Sequence, residues 1–281
     1  MFRVKKMESQ DFPFAVELTD TMNWNMTKED FEFNMLLEPN GCFTLFDHQE
    51  RIGLATCISY GNLGWFGNLI VKVSYRNKGA GTFLVNHAVN YLRSLGVTTV
   101  GLYANLNVVD FYEAMDFRRD EDFVFLTATP VSFTERSQNN LKILDKNEIP
   151  EIVDFDRKSF VGNREKLLEQ ILQNEENFGL VAKENTKVVG YVAAKVYGDV
   201  AEVGPLVCLP EHPKTASKLL VEVLSKLHGS RAYMSLPVAE TALLDLASKA
   251  GFEEKFRVAR MFLGSVVSQD WIYIAESLER G

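Results

Sequence analysis

The stretch from Leu69 to Gly81, LIVKVSYRNKGAG, restricts this chain more than any other part of it. Leu69, Ile70, Val71 and Val73 are residues of the kind that fill a buried strand. A short basic turn rich in glycine follows, Arg76-Asn77-Lys78-Gly79-Ala80-Gly81. Beyond it Leu84, Ala88, Tyr91, Leu92 and Leu95 recur at spacings of three and four, which predicts a helix with one apolar face. The first amides of a helix have no internal partner, and the helix dipole favours negative charge beside them. Gly79 and Gly81 carry no Cβ to hold a phosphate away from those amides, and Arg76 and Lys78 add positive charge. The turn is suited to a phosphate.

The Gly-Lys-Ser/Thr ending of a Walker loop is absent, and the single G-x-G lacks the third glycine of a dinucleotide fingerprint. Arg76-x-x-Gly79-x-Gly81 after an L-x-V strand resembles the acyl-CoA pyrophosphate loop of the GNAT N-acetyltransferase superfamily. In that family the loop amides hold the coenzyme A pyrophosphate, and the preceding strand splays from its neighbour to bond the pantetheine and thioester. The resemblance therefore implies acetyl-CoA as acyl donor. It would be held by Leu69, Ile70, Val71, Lys72 and Val73 on the strand and by Arg76, Asn77, Lys78, Gly79, Ala80, Gly81 and Thr82 in the turn. A second stretch, Asn105 to Phe117 (NLNVVDFYEAMDF), resembles the family segment N-x-x-A-x-x-F-Y-x-x-x-G-F. There the asparagine contacts the pantetheine arm and the tyrosine hydroxyl lies near the thioester sulfur. Asn105 and Tyr112 fall on those positions, which implies a cofactor contact for Asn105 and a catalytic role for Tyr112. When an amine displaces coenzyme A a thiolate leaves, and a positioned phenol protonates it. Asp116, Val108 and Val73 depart from the family's glycine, alanine and frequent proline.

Composition narrows the partners. A net charge of −8 over 281 residues argues against a nucleic-acid binder and mildly favours a cationic acceptor. No apolar run approaches the roughly 20 residues that span a bilayer, and MFRVKKMESQDF lacks the apolar core of a signal peptide, so no membrane role is expected. Cys42, Cys57 and Cys208 are odd in number and widely spaced, which points to a reducing, cytoplasmic setting without disulfides or a structural zinc. No metal site is expected.

Taken in order, the first half reads β-α-α-β-β-β-α-β-α-β. Its elements are a strand at 2–7, helices at 11–21 and 27–37, a hairpin over 42–60, the strand at 65–73, the central helix, a strand at 98–104, a short helix at 105–115 and a strand at 117–129. The same order returns after a polar stretch, with Phe252 standing 135 residues beyond Phe117. The expected fold class is α/β, an α+β mixed sheet in two tandem GNAT folds. Residues 1–130 form an N-acetyltransferase domain, 131–140 a linker, and 141–281 a degenerate GNAT-like domain with an acceptor-pocket or structural role. The second half has Pro210-Glu211-His212-Pro213 where the first has its glycine turn, and Ala247 where it has Tyr112. Prolines remove amide donors and an acid brings the wrong charge, so no second cofactor site is expected. The half closes in Arg260-Met261-Phe262-Leu263-Gly264, as do degenerate halves of tandem GNAT proteins.

The resemblance implies an acetyl-CoA-dependent N-acetyltransferase acting on a primary amine by direct transfer. The alternative is a non-catalytic acyl-CoA-binding or regulatory protein of the same fold. The general base is open: neither 65–71 nor 98–104 holds an acid, and Tyr103, Asp20, Asp122 or a residue of the second half remain candidates. Trp24-Asn25 falls where a lid over the acceptor would lie, though core packing accounts for it as well. His87 and Cys208 are expected to pack rather than react. The acceptor's identity, small or protein-borne, and the oligomeric state stay open.

Overall fold

Runs of residues that are apolar on both faces, such as Leu54–Ile58 and Leu63–Phe66, require a sheet covered on both sides, and the computed structural model supplies the two covers from different halves of the chain. It describes residues 1–133, 141–265 and 269–281. The first half runs β1 (Phe2–Lys6), α1 (Phe12–Asp20), α2 (Lys28–Leu37), β2 (Cys42–Asp47), β3 (Glu50–Tyr60), β4 (Leu63–Val71), α3 (Ala80–Ser94), β5 (Thr99–Asn105), α4 (Val109–Glu113) and β6 (Arg118–Ala128). The second runs β7 (Lys142–Ile143), α5 (Ile149–Phe160), α6 (Glu165–Gln173), β8 (Phe178–Glu184), β9 (Lys187–Tyr197), β10 (Val200–Cys208), α7 (Pro213–Lys226), β11 (Arg231–Pro237), α8 (Thr241–Lys249) and β12 (Glu253–Leu263). A last strand, β13 (Ile272–Ile274), has no counterpart in the first half and was not expected from the sequence.

Local chemistry explains most boundaries. Asp30 accepts from the Thr27 backbone N–H at 2.8 Å, closing the capping box that starts α2. Along α3 the stripe Ala80, Leu84, Val85, Ala88, Val89 and Leu92 is buried, and Gly96 takes φ +86° just past its end. Two expectations are corrected. The strand expected to reach Val73 ends at Val71, because Val73–Tyr75 turn into a 3₁₀ helix. The helix expected from Asn105 starts only at Val109, after a 3₁₀ turn over Leu106–Val108.

The strands form one mixed sheet in the order β1-β2-β3-β4-β5-β12-β6-β11-β10-β9-β8-β7, with β13 paired to β10. The two halves exchange their closing strands. β12 lies antiparallel to β5, from Val258 against Asn105 to Leu263 against Val100. β6 lies antiparallel to β11, from Pro237 against Phe123 to Ala232 against Ala128. β6 and β12 pair with each other at the centre. Ala259 and Met261 of β12 complete the first-half core under α3, and Val124, Leu126 and Ala128 of β6 complete the second-half core under α7. A third core joins the halves, where Tyr60 and Trp65 meet Phe160, Leu168 and Tyr191.

The Arg260-Met261-x-x-Gly264 segment locks this exchange. The buried Arg260 guanidinium donates Nε–H to Asp120 at 2.7 Å and Nη2–H to Glu121 at 3.3 Å, both on β6, and Nη1–H to Gln269 at 3.3 Å. Gly264 has φ +103°, and a Cβ there would sit 2.6 Å from the Thr98 carbonyl oxygen, so the chain leaves β12 only through a glycine. Of the expected linker, 131–133 are described and irregular, with Val131 and Phe133 buried in the second-half core. Residues 134–140 lie outside the described residues. No helix among the described residues is long and apolar enough to cross a membrane.

A fragment of residues 1–133 lacks the strand that separates β5 from β6, so both present unpaired edges and half an apolar core. It should show no cooperative thermal transition by circular dichroism, whereas the whole chain melts cooperatively.

Candidate functional site

At the head of α3 the backbone takes the left-handed conformation at Asn77 (φ +58°) and Gly79 (φ +80°), which turns successive amides toward one concavity. Gly79 is the N-cap and has no side chain to satisfy the first helical amides. Nothing lies within 4 Å of the position a Gly79 Cβ would occupy, so the turn is open to a ligand on that side. At Gly81 a Cβ would meet the Phe111 ring at 3.3 Å, because α4 packs against the turn. Ala80 is buried in the core, and Thr82 follows in the first turn of α3.

The basic side chains do not all join this cradle. Arg76 folds back and donates Nε–H to the Val71 carbonyl at 3.0 Å, with Nη2 3.6 Å from the Met22 sulfur. Lys72 pairs with Glu50 at 2.8 Å. Lys78 sits over the Tyr75 ring at 5.9 Å. The turn therefore offers mainly backbone donors, with Lys78 beside them.

The strand before it parts from its parallel neighbour. β4 and β5 pair only from Leu63–Thr99 to Trp65–Gly101. The β3–β4 register shifts between Leu54 and Thr56, and Asn68 adopts φ +52° there while donating to the Thr56 hydroxyl at 3.2 Å. Beyond this bulge the β5-facing edge of β4, through Leu69, Ile70 and Val71, has no strand partner among the described residues. The Lys72 N–H donates to Ile52 of β3 at 2.8 Å, so strand alternation turns the amides of Val71 and Leu69 to the open edge.

Asn105, at the end of β5, and Asn68 border a cavity of about 970 Å³. Its floor is one face of the central strands, with Tyr103, Phe125, Val258 and Tyr233. Residues 23–27 with Glu29 and Asp30 form one wall, so Trp24 and Asn25 do line the cavity. The opposite wall is the chain from Ala275 to Glu279, which crosses the sheet from β10 to β4. A smaller hollow of about 320 Å³ lies beside Lys146 and Glu175 at the β7–β8 edge, away from these elements.

Tyr112 is not among the residues bordering the large cavity. It is buried on α4 between Phe111 and Phe117, with ring centroids 5.0 and 5.6 Å away, and its hydroxyl makes no hydrogen bond to a described residue. Burial pushes its phenol well above the usual range, so it stays protonated near neutrality. Burial likewise pushes Tyr103 up to about 12, against the opposing Arg260, which makes it a poor base at neutral pH. Asp122 is held by Arg119 at 2.6 Å, and neither it nor Asp20 borders the cavity. His87 packs edge-on against Phe43 at 4.8 Å, and burial lowers its pKa. Cys208 is buried and pushed up to about 12 by burial.

In the second half the equivalent cleft is filled by the chain itself. β10 and β11 pair only from Val200–Arg231 to Glu202–Tyr233, as β4 and β5 do, but β13 enters the gap. Leu206 pairs with Ile274, the Cys208 N–H donates to Trp271, and the Ala275 N–H donates to Ser235 of β11, each of these last two at 2.9 Å. Gly204 makes room, since a Cβ there would lie on the Ala275 carbonyl oxygen. Pro213 opens α7, and Ala247 is buried at the position of Tyr112. The loss of the turn is legible in Pro210-Glu211-His212-Pro213; the plug by β13 carries no signal beyond a short apolar run at Trp271–Ile274.

A buried charge cluster anchors the crossing segment. Lys195 bonds Glu202 at 2.7 Å and also Glu276, and Arg280 donates Nε–H to Glu276 at 3.2 Å. Burial raises the Glu202 pKa despite Lys195 and Arg280. Burial opposes ionisation of Glu276 too, but its contacts with Arg280 and Lys195 hold its pKa below the usual range.

The Acetyltransferase (GNAT) family model matches residues 3–117, and an Acetyltransferase (GNAT) domain model matches 152–274. Holothin acyltransferase of Pseudoalteromonas sp. (strain SANK 73390) is 23% identical over 268 residues, covering 92% of this chain and 87% of that protein. The crystal structure of a putative acetyltransferase from Pyrococcus horikoshii superposes with TM-score 0.82 at 20% identity, over 100% of this chain and 96% of the other. A tandem GNAT protein from the clavulanic acid biosynthesis pathway does so with TM-score 0.63 at 12% identity, over 95% and 100%.

Valine at Gly79 or at Gly81 should weaken acetyl-CoA binding about tenfold or more by calorimetry. Unchanged affinity in both variants would remove the turn from the site.

Proposed function

This chain belongs to the GNAT acetyltransferase family, and on that footing we propose that it moves an acetyl group from acetyl-CoA to a primary amine held in the cavity between its halves. The observation that carries this reading is the open edge of β4. It runs from the glycine turn at one end to the cavity at Asn68 on the other. A ligand with a pyrophosphate at the turn and an extended arm along Leu69–Val71 would present its acyl end where Asn68, Asn105 and Tyr103 meet.

The residues present fit such a donor. Amides around Gly79–Thr82 face no protein acceptor from a capping side chain, and the Val71 amide points to the open edge, where it would polarise a thioester carbonyl. The amine attacks, the carbon–sulfur bond breaks, and Tyr112, kept protonated by its burial, returns a proton to the leaving thiolate. In this reading residues 1–130 carry the donor and 141–281 complete the acceptor site. The cavity volume suits a small molecule, and its carboxylates Glu29, Asp30, Glu202 and Glu279 outnumber the one cation, Arg231, that borders it among the described residues, which favours a cationic acceptor. An acyltransferase among the relatives supports turnover over acyl-CoA binding alone.

Replacing Tyr112 by phenylalanine should lower kcat about 100-fold while leaving acetyl-CoA affinity near that of the unaltered chain. Steady-state kinetics with a panel of primary amines, paired with calorimetry, measures both. A large affinity loss at unchanged turnover would contradict the assigned role.

A further inference from the structure

Transfer to an ammonium needs a group to take its proton, and no side chain of β4 beyond Trp65 or of β5 is an acid. The structure brings one to β4 from the other end of the chain. Gly67 lies on β4 beside the bulge, and the backbone of Glu279 is seated directly on it. A Cβ at residue 67 would stand 2.5 Å from the Glu279 carbonyl oxygen and 3.0 Å from its Cβ. β4 therefore carries no side chain at this point and Glu279 supplies one, bordering the same cavity as Asn68 and Asn105.

Of the other cavity acids, Asp30 and Glu202 are held by partners of their own. Asp30 holds the start of α2 through Thr27. Glu29 lies on the same first helical turn. Glu202 is buried against Lys195 and Arg280 on β10, in the half whose cleft is plugged. The carboxylate of Glu279 is a quarter exposed and touches one cation, Arg280, at 2.7 Å. Charged and titratable groups around it are Arg280 and Glu276 on its own segment, Lys195 on β9, Glu202 on β10, Tyr233 on β11 and Tyr103 on β5, with Glu29 and Asp30 across the cavity. The opening of the cavity beside it gives an amine access.

Resting on the acyl-transfer reading above, we propose that Glu279 is the catalytic base. It takes the proton of the ammonium bound in the cavity, the freed nitrogen lone pair forms the bond to the acyl carbon, and the carbon–sulfur bond breaks. Glu279 passes this first proton to solvent and then takes the second amine proton, while Tyr112 gives its hydroxyl proton to the thiolate and is reprotonated through solvent by that second proton, so that one proton is released overall. The products are an amide and free coenzyme A. β13 has the matching role of holding this segment in the second half's cleft, so that the plugged site positions the base of the working one.

The test uses the whole chain with acetyl-CoA and phenethylamine. Glu279→Gln keeps the shape and removes the base. At pH 7 its kcat should fall about 100-fold with the KM for acetyl-CoA unchanged, and the deficit should shrink to below about tenfold as pH rises until the amine is neutral in solution. Glu279→Asp, which keeps the charge, should regain part of the rate. A merely structural role would leave the deficit the same at every pH, and that result, or full activity of the glutamine variant at pH 7, overturns the assignment. If the unaltered chain binds acetyl-CoA yet acetylates neither phenethylamine nor any other primary amine, the transfer reading itself falls, and this role with it.

Discussion

Everything in this molecule depends on the exchange of β6 and β12. Each closing strand leaves its own half and completes the sheet of the other, so neither core is whole without both. Hydrogen bonding along β5–β12–β6–β11 makes one continuous floor, and a strand's two faces alternate, so side chains from both halves end on the same side of it. The cavity stands on that floor. Its existence follows from the exchange and not from any single residue that borders it.

The two halves start from the same layout and part where the cleft begins. A strand pair that separates leaves unpaired amides and carbonyls, which a protein interior does not tolerate unless something bonds to them. In the second half β13 and Ala275 do so, with Gly204 giving the room. In the first half the edge stays open and the turn beside it keeps its glycines. Holding the crossing segment requires burying Lys195, Glu202, Glu276 and Arg280 together, an arrangement whose desolvation penalty is offset only because each charge meets an opposite one. Removing any one would leave the remaining three with an uncompensated buried charge.

Much of the fold was legible in the sequence because it is written locally. The 3.6-residue spacing along α3, the capping box at Thr27 and the strand–turn–helix of Leu69–Gly81 each act within a few residues. Pairing between β12 and β5 joins residues about 160 positions apart, and nothing in either strand's alternation names its neighbour. The Arg260-to-Gly264 segment was visible as a pattern, but its meaning as a lock on Asp120, Glu121 and Gln269 required the structure. In the site, the glycine turn was readable and the side chains of Arg76 and Lys72 were not, since each turned to a local partner. Glu279 escaped notice for the same reason as β13. Its place on Gly67 is set by a long-range crossing that leaves no periodic trace.

The proposed transfer requires that the cleft of the first half be open to acyl-CoA and that its counterpart be closed. Calorimetric titration of the whole chain with acetyl-CoA measures this directly. The structure predicts saturation at one molecule per chain. Two molecules per chain would mean that β13 does not close the second cleft, and no binding at millimolar ligand would mean that the open edge of β4 and the glycine turn serve some other ligand.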